Sequence, residues 1–525
     1  VAESDAVLVE HAEATSTEAI HLLTRSGAQP EEIAAFYADF VTSLKQHASA
    51  AAGVWRPLLD AGLAVPGLQR ERAWARLMLL LDPVEPVPGA RIRSGRWIGF
   101  DPEAVAIARS TGDERSLARS VESFDYRSRQ GTEELLSNVR GWHDPEAVMY
   151  GMTVVANDYQ YRHGQFRAAG DLWNELSALA ERNGALNWQA QAMNQLTLLH
   201  VATGRFEHAR ASEAQANALL DRLGAGRRSD VLEREMTTAL AMEFGGDWST
   251  LGWEWKAVAE DAALGPRDPA TLMTSLNAAV SAYCFAEAGD REAARSMLTA
   301  LTPVLEALTP TDANQNGAVA FAADTVWKIE ATEFAHRYER LALDLQEYGI
   351  GDYPQSSIER AIAQMLALQG RFEEAIVAIK AARETAEATG QLPQHARTFL
   401  DEARIRSQAN DPTPIKELLR QATERFTQLG MGEWSARATA GMHEFESKVA
   451  ARGNSAGDLT DREIEVLRYV IRGYSDQHIS EILFISPRTV HTHIRNMLSK
   501  TAAINRTELS VWAVARGIAD GKQSS

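Results

Sequence analysis

Cysteine is all but missing: Cys284 is the only one in 525 residues. A single thiol can neither close an intrachain disulfide nor complete a zinc knuckle. Flanked by Tyr283 and Phe285 at the end of an apolar stretch, it reads as a buried structural thiol rather than a nucleophile. No apolar run approaches the roughly eighteen residues of a membrane helix, and no signal peptide opens the chain, so a cytoplasmic protein is expected. Positive charge is scarce too, with 53 Lys and Arg against 71 Asp and Glu and a net charge of −18. The bulk of such a chain is repelled by nucleic acid, so any contact with it must fall to a small part. Segments alternating with period two are few, which predicts an all-α protein. His163, His200, His208, His336 and His395 never pair at metal-ligand spacing on one helix face. Neither a metal, a cofactor nor an enzyme activity is therefore expected.

What is present is concentrated at the C-terminus. Thr460-Asp461-Arg462-Glu463 is a capping box that opens a helix with Ile464, Leu467, Val470 and Ile471 on its apolar face, stopping at Gly473. Ser475 caps a shorter helix holding Ile479, Ile482 and Leu483. A brief turn ends at Ser486, and Pro487 takes the first position of a third helix, where its missing N–H costs nothing. Two helices joined so tightly form a helix-turn-helix, and the third helix would be the reader. Its residues separate at 100° per residue into an inner face, Val490, Ile494, Met497 and Thr501, and an outer stripe, Arg488, His491, Thr492, Arg495 and Ser499. The stripe carries no acid and no large apolar residue. Arginines and small hydroxyls facing outward suit a major groove, as donors to guanine and phosphate with little bulk.

This stretch resembles the wingless, four-helix DNA-binding domain of LuxR-type transcription regulators. The resemblance implies groove contacts by His491, Thr492 and Arg495, with Arg488, Lys500 and Arg506 nearer the phosphates. It also implies a homodimer contact on the last helix, near Val511 and Trp512, with Leu509 and Ala513 packing back on Leu467. The family usually has lysine at the position of His491 and asparagine at that of Asp476, so one fixed positive charge is missing from the groove. Double-stranded promoter DNA is the implied partner, with RNA polymerase implied by the same resemblance.

The charge divides unevenly. From Asp458 onward there are nine Lys and Arg and eight Asp and Glu, which leaves 44 against 63 for residues 1–457. The tail alone must make the DNA contact, and two copies are expected to be needed.

Upstream, a phrase recurs: Gly164-Gln165-Phe166 with Ala169, Gly204-Arg205-Phe206 with Ala209, Gly246-Asp247-Trp248, Gly289-Asp290 with Ala293, and Gly370-Arg371-Phe372 with Ala375. Successive gaps are 40, 42, 43 and 81 residues, the last being two periods, and Asn410-Asp411 follows another 40 on. Each glycine separates two amphipathic stretches, so that glycine relaxes the turn, the aromatic fills the hinge and alanine lets the paired helices approach. The pattern resembles a tetratricopeptide-like α-solenoid. The expected organisation is an irregular helical region over 1–145 with a loop at Pro83–Gly95, repeats over 146–449, a linker over 450–457 and the DNA-binding domain over 458–525.

A helical-repeat body with this tail resembles the large ATP-binding regulators of the LuxR family, a likeness supported by Phe426, Leu429-Gly430 and Trp434-Ser435-Ala436-Arg437. Those regulators carry a P-loop NTPase, and no such motif occurs here. The chain begins at Val1 rather than methionine, so two readings stay open: a member without the ATPase, or a piece of something longer. Response-regulator phosphoacceptor features, alternating strands and clustered N-terminal aspartates, are not visible. The first helix of each repeat is rich in aromatic and amide residues. Tyr150, Asn157, Tyr161, Asn194, Asn277 and Tyr283 are accordingly candidates for binding a small-molecule or protein effector on the concave face. Trp248, Trp253 and Trp255 read as core. The favoured function is a transcription regulator, an activator by resemblance, whose body senses an effector; the alternative is a helical-repeat scaffold with a weak DNA-docking tail.

Overall fold

The computed structural model describes residues 18–47, 52–80, 102–119, 129–222, 230–262, 270–308, 315–411, 414–454, 459–501, 503–515 and 518. The expected loop at Pro83–Gly95 and the 516–517 pair after the last helix lie outside them. Every regular element among the described residues is helical, as the scarcity of period-two segments predicts.

The N-terminal region contributes α1 (Pro30–His47), α2 (Ala52–Leu63), α3 (Arg72–Leu80), α4 (Pro102–Thr111), α5 (Glu114–Arg119) and α6 (Arg129–Arg140). The body begins with α7 (Pro145–Tyr161), α8 (Phe166–Arg182), α9 (Leu186–Ala202), α10 (Phe206–Arg222), α11 (Asp230–Phe244), α12 (Trp248–Ala262) and α13 (Ala270–Glu287). It continues through α14 (Arg291–Ala307), α15 (Gln315–Ile329), α16 (Ala335–Glu347), α17 (Ile358–Leu368), α18 (Phe372–Thr389), α19 (Leu392–Gln408), α20 (Ile415–Gln428) and α21 (Gly432–Asn454). The tail is α22 (Asp461–Ile471), α23 (Asp476–Leu483), α24 (Pro487–Thr501) and α25 (Arg506–Ala515).

Along most of the body each helix packs on the next, and alternate helices also touch, as in α13 with α15, α15 with α17 and α17 with α19. The odd-numbered helices thus form an inner row and the even-numbered an outer one. Sequence explains the assignment. Outer helix α8 buries Phe166, Ala169, Leu172, Trp173, Leu176 and Ala180, a single stripe at helical spacing. Inner helix α15 is buried on every side, with only Lys328 partly exposed. Phe166 and Ala169 at one hinge are fully buried.

The missing beat of the repeat is filled by a side chain that rarely takes the conformation. Midway across the 81-residue gap, Glu330 adopts a left-handed φ of 55°, where Gly289 and Gly370 have 83° and 77°. Asn410 holds the next such place at 53°. At the third hinge the left-handed residue is Gly245, one before the glycine that the phrase marks.

The inner row closes on itself. Asn316 on α15 donates to the carbonyls of Tyr161 and Gly351, each at 2.9 Å. Arg397 on α19 reaches the Met242 carbonyl at 2.9 Å and Glu243 at 2.8 Å. Trp434 at the base of α21 donates to the same Met242 carbonyl at 2.7 Å. Elements some 150–190 residues apart in sequence are therefore bonded directly. At the centre, Arg360 binds Asp401 at 2.6 Å and Asp324 at 2.5 Å, and Gln364 donates to both carboxylates. A buried cation is tolerable only when paired and hydrogen-bonded in this way. Cys284 lies in the same core, where burial pushes its thiol pKa up and Glu287 adds to the effect.

Trp248 and Trp255 are core as expected, but Trp253 is 55% exposed and covered by Lys256 at 4.8 Å. Residues 248 and 255 are nearly two turns apart and share a face, whereas 253 lies well off it. Helix α21 runs to Asn454, so the first part of the expected 450–457 linker is helical. Among the described residues no helix is long and apolar enough to cross a membrane.

Candidate nucleic-acid interface

The tail builds its own small core from Val466, Leu467, Val470, Ile479, Leu483, Val490, Ile494, Met497, Leu509 and Ala513. The capping box forms in both directions: Glu463 accepts from the Thr460 N–H at 2.8 Å, and Thr460 Oγ1 accepts from the Glu463 N–H at 3.3 Å. Ser475 caps α23 by accepting from the His478 N–H at 3.3 Å. Helix α23 ends at Phe484, whose left-handed φ of 53° turns the chain sharply and leaves the ring 94% exposed. Ser486 then accepts from the Thr489 N–H at 3.0 Å and starts α24 with Pro487 in its first turn.

Helix α24 divides as its periodicity predicts. Val490, Ile494, Met497 and Thr501 are buried against the other tail helices. Arg488, His491, Thr492 and Arg495 are exposed along one stripe, with Ser499 half-buried at its end. Thr492 Oγ1 donates to the Arg488 carbonyl at 2.9 Å, which fixes the hydroxyl while leaving its lone pairs outward. Helix α21 touches α24, yet the stripe stays open.

Two of the six candidate DNA residues are committed elsewhere. Lys500 Nζ lies 2.7 Å from Glu463 Oε2, and Glu463 is 3% exposed. Burial alone would discourage ionisation of Glu463, but the Lys500 ammonium and the Thr460 N–H and hydroxyl outweigh it and hold the carboxyl below its usual range. Arg506 binds the Asp476 carboxylate and the Tyr474 carbonyl. Both cations serve as braces between tail helices, a role the sequence did not show because their partners lie 37 and 30 residues away. On α25, Val511 is 64% exposed and Val514 55% exposed. Trp512 instead packs against the tail core.

The six effector candidates scatter over the body. Tyr150 lies edge-on to Trp188, with ring centroids 6.3 Å apart. Asn157 and Asn194 are half-buried, each with an Oδ1 that finds no partner. Tyr283, 5% exposed, is wedged between Trp248 and Phe321 as core. Tyr161 and Asn277 do come together, in one partly open cavity that also takes in Glu235, Trp255, Phe321 and Tyr353. These last four have no local sequence signal; only the closure of the body assembles them.

Residues 458–513 match the family described as bacterial regulatory proteins, luxR family. The C-terminal domain is a LuxR-family helix-turn-helix domain. It is similar to transcriptional regulatory protein LnrK of Bacillus subtilis, 35% identical over 89 residues, which is 17% of this chain and 38% of that protein. Transcriptional regulatory protein LiaR of the same organism is 39% identical over 87 residues, 14% of this chain and 41% of that protein. Response regulator protein VraR of Staphylococcus aureus is 42% identical over 55 residues, 10% of this chain and 26% of that protein. The chain thus spans less than half the length of these relatives.

Proposed function

We propose that this chain is a transcription regulator that binds promoter DNA as a homodimer through α24, and whose helical body, residues 146–449, senses an effector. The observation that carries the reading is the open stripe of Arg488, His491, Thr492 and Arg495 on a helix held rigidly by a core of its own. Arg495, His491 and Thr492 face base edges; Arg488 binds phosphate near the helix start. The similar proteins bear names of transcriptional and response regulators, which supports the same use of the domain here. Activation through RNA polymerase follows from the family likeness.

Selection of binding sites by the full chain from a random duplex library, followed by titration against salt, tests the reading. A regulator enriches a roughly palindromic sequence and retains its preference as salt weakens all binding. Binding without enrichment would leave the scaffold function instead.

A further inference from the structure

The cavity that holds Tyr161 and Asn277 lies among α7, α9, α11, α12, α13 and α15 and the 353–355 segment, with a volume of about 60 Å³. That is room for a compact ligand of a few heavy atoms. Much of its polar lining is already satisfied. The Tyr161 hydroxyl donates to Gln195 Oε1 at 2.7 Å, and the Trp255 indole N–H donates to Thr238 Oγ1 at 2.7 Å. Two groups are not. The Glu235 carboxylate and the Asn277 side-chain amide have no hydrogen-bond or ion-pair partner among the described residues, although Asn277 is only 5% exposed. Arg234, the neighbour that could neutralise Glu235, lies toward Glu254 at 3.5 Å and does not line this cavity.

The walls are aromatic. Tyr161 and Tyr353 lie 5.4 Å apart between ring centroids, and Phe321 stands edge-on to Tyr353 at 6.3 Å. Among the described residues no Lys, Arg or His lines the space. An anion would meet a carboxylate and no counter-charge. A neutral ligand would leave Glu235 without a counter-charge, so that the group has to take up a proton. A cation satisfies both the carboxylate and the electron-rich ring faces.

We propose that this cavity binds a small organic ammonium ion, with Glu235 as its counter-ion, Tyr161, Tyr353, Phe321 and Trp255 as its walls, and Asn277 bonding a polar substituent. Burial pushes the Glu235 pKa up to about 7 in the unliganded protein, and a cation bound beside it would draw the group back to its ionised form. The inference rests on the effector-sensing part of the proposed function and names the chemistry of the effector.

Calorimetric titration of the full chain, without DNA, tests it with compact matched pairs: ethanolamine against ethylene glycol, and ethylamine against ethanol. At least one ammonium should bind tenfold or more tightly than its neutral counterpart. Glu235→Gln should abolish that difference, and Tyr353→Leu should weaken the ammonium while leaving the thermal unfolding of the body unchanged within a few degrees. Equal binding within both pairs, no binding by either ammonium, or discrimination that survives Glu235→Gln overturns the proposal. Site selection with the parent chain separates the two readings: a clear operator preference in a protein that shows no ammonium discrimination overturns the cavity assignment and leaves the DNA-binding function standing.

Discussion

His491 Nδ1 stands 3.7 Å from Asp476 Oδ2, and the same carboxylate binds Arg506. Two positions at which the tail differs from the usual family pattern are therefore neighbours in space. An acid beside the reading stripe opposes phosphate while it orients the imidazole. Asp476→Asn should raise non-specific DNA affinity roughly two- to threefold at low salt, an effect that fades as salt screens it. Fluorescence anisotropy on a random duplex measures it; unchanged or weaker binding at low salt would mean that Arg506 bracing outweighs the charge.

Arg495→Ala and Thr492→Ala should each weaken binding to the selected site by about 1–3 kcal/mol while leaving random duplex nearly unaffected. Both side chains are exposed, so the fold should survive. Arg488→Ala should act differently, weakening all sequences alike and reducing the salt slope by about one unit. Parallel titrations on both duplexes show whether the face assignment holds.

Lys500→Met should destabilise the tail by about 1–3 kcal/mol at pH 7, because it strands the Glu463 carboxylate in the core. The folded pKa of Glu463 lies below its unfolded value, so its contribution is present above about pH 4.3 and is lost as pH falls through the folded value. The gap between parent and variant should narrow on acidification. Hydrogen exchange over residues 459–515 of the full chain, compared at pH 7 and near pH 4, reads this directly; a gap that widened toward acid would contradict the assignment.

Val511→Asp with Val514→Asp should break dimerisation on DNA without unfolding the tail, since both residues are exposed while Leu509 and Ala513 hold the core. Footprinting should then shrink from two half-sites to one, with a loss of affinity. Full two-site protection at parental affinity would place the contact elsewhere.

Glu330→Gly should stabilise the body by about 0.5–1 kcal/mol. A left-handed non-glycine residue costs about 1–2 kcal/mol. Part of that gain is offset by glycine's greater freedom when unfolded and by loss of the exposed Arg404 pair. Thermal unfolding gives the sign.

Signals that act over a few residues are legible in the chain itself. The Thr460–Glu463 box, Pro487 at a helix start and the 3.6-residue periodicity of α24 all concern neighbours in sequence, and the structure shows each of them. The hinge phrase likewise marks the two-helix beat, including the place where Glu330 substitutes for glycine. Lys500 and Arg506 look like phosphate ligands because sequence displays a cation without displaying the acid opposite it. The cavity is half visible: Tyr161 and Asn277 stand out as candidates, but Glu235 and Tyr353 reach them only through closure of the chain, as in the Gln355 bond to the Leu198 carbonyl at 3.3 Å. Asn157, Asn194, Tyr150 and Tyr283 share the same composition signal without sharing that place.

Met242 belongs to the cavity wall, and its carbonyl receives the indole N–H of Trp434 on the first turn of α21. From that anchor the helix continues over 23 residues in all, a rod of about 34 Å. The cavity wall and the DNA-reading domain are thus joined by one continuous helix, which packs on α20 and touches α24. A tilt of about 5° at Trp434 carries Asn454 through roughly 3 Å, close to the spacing of one base pair. In the proposed dimer, two such helices would bear on the separation of the reading helices, and half-sites one helical turn apart accept only a narrow range of it.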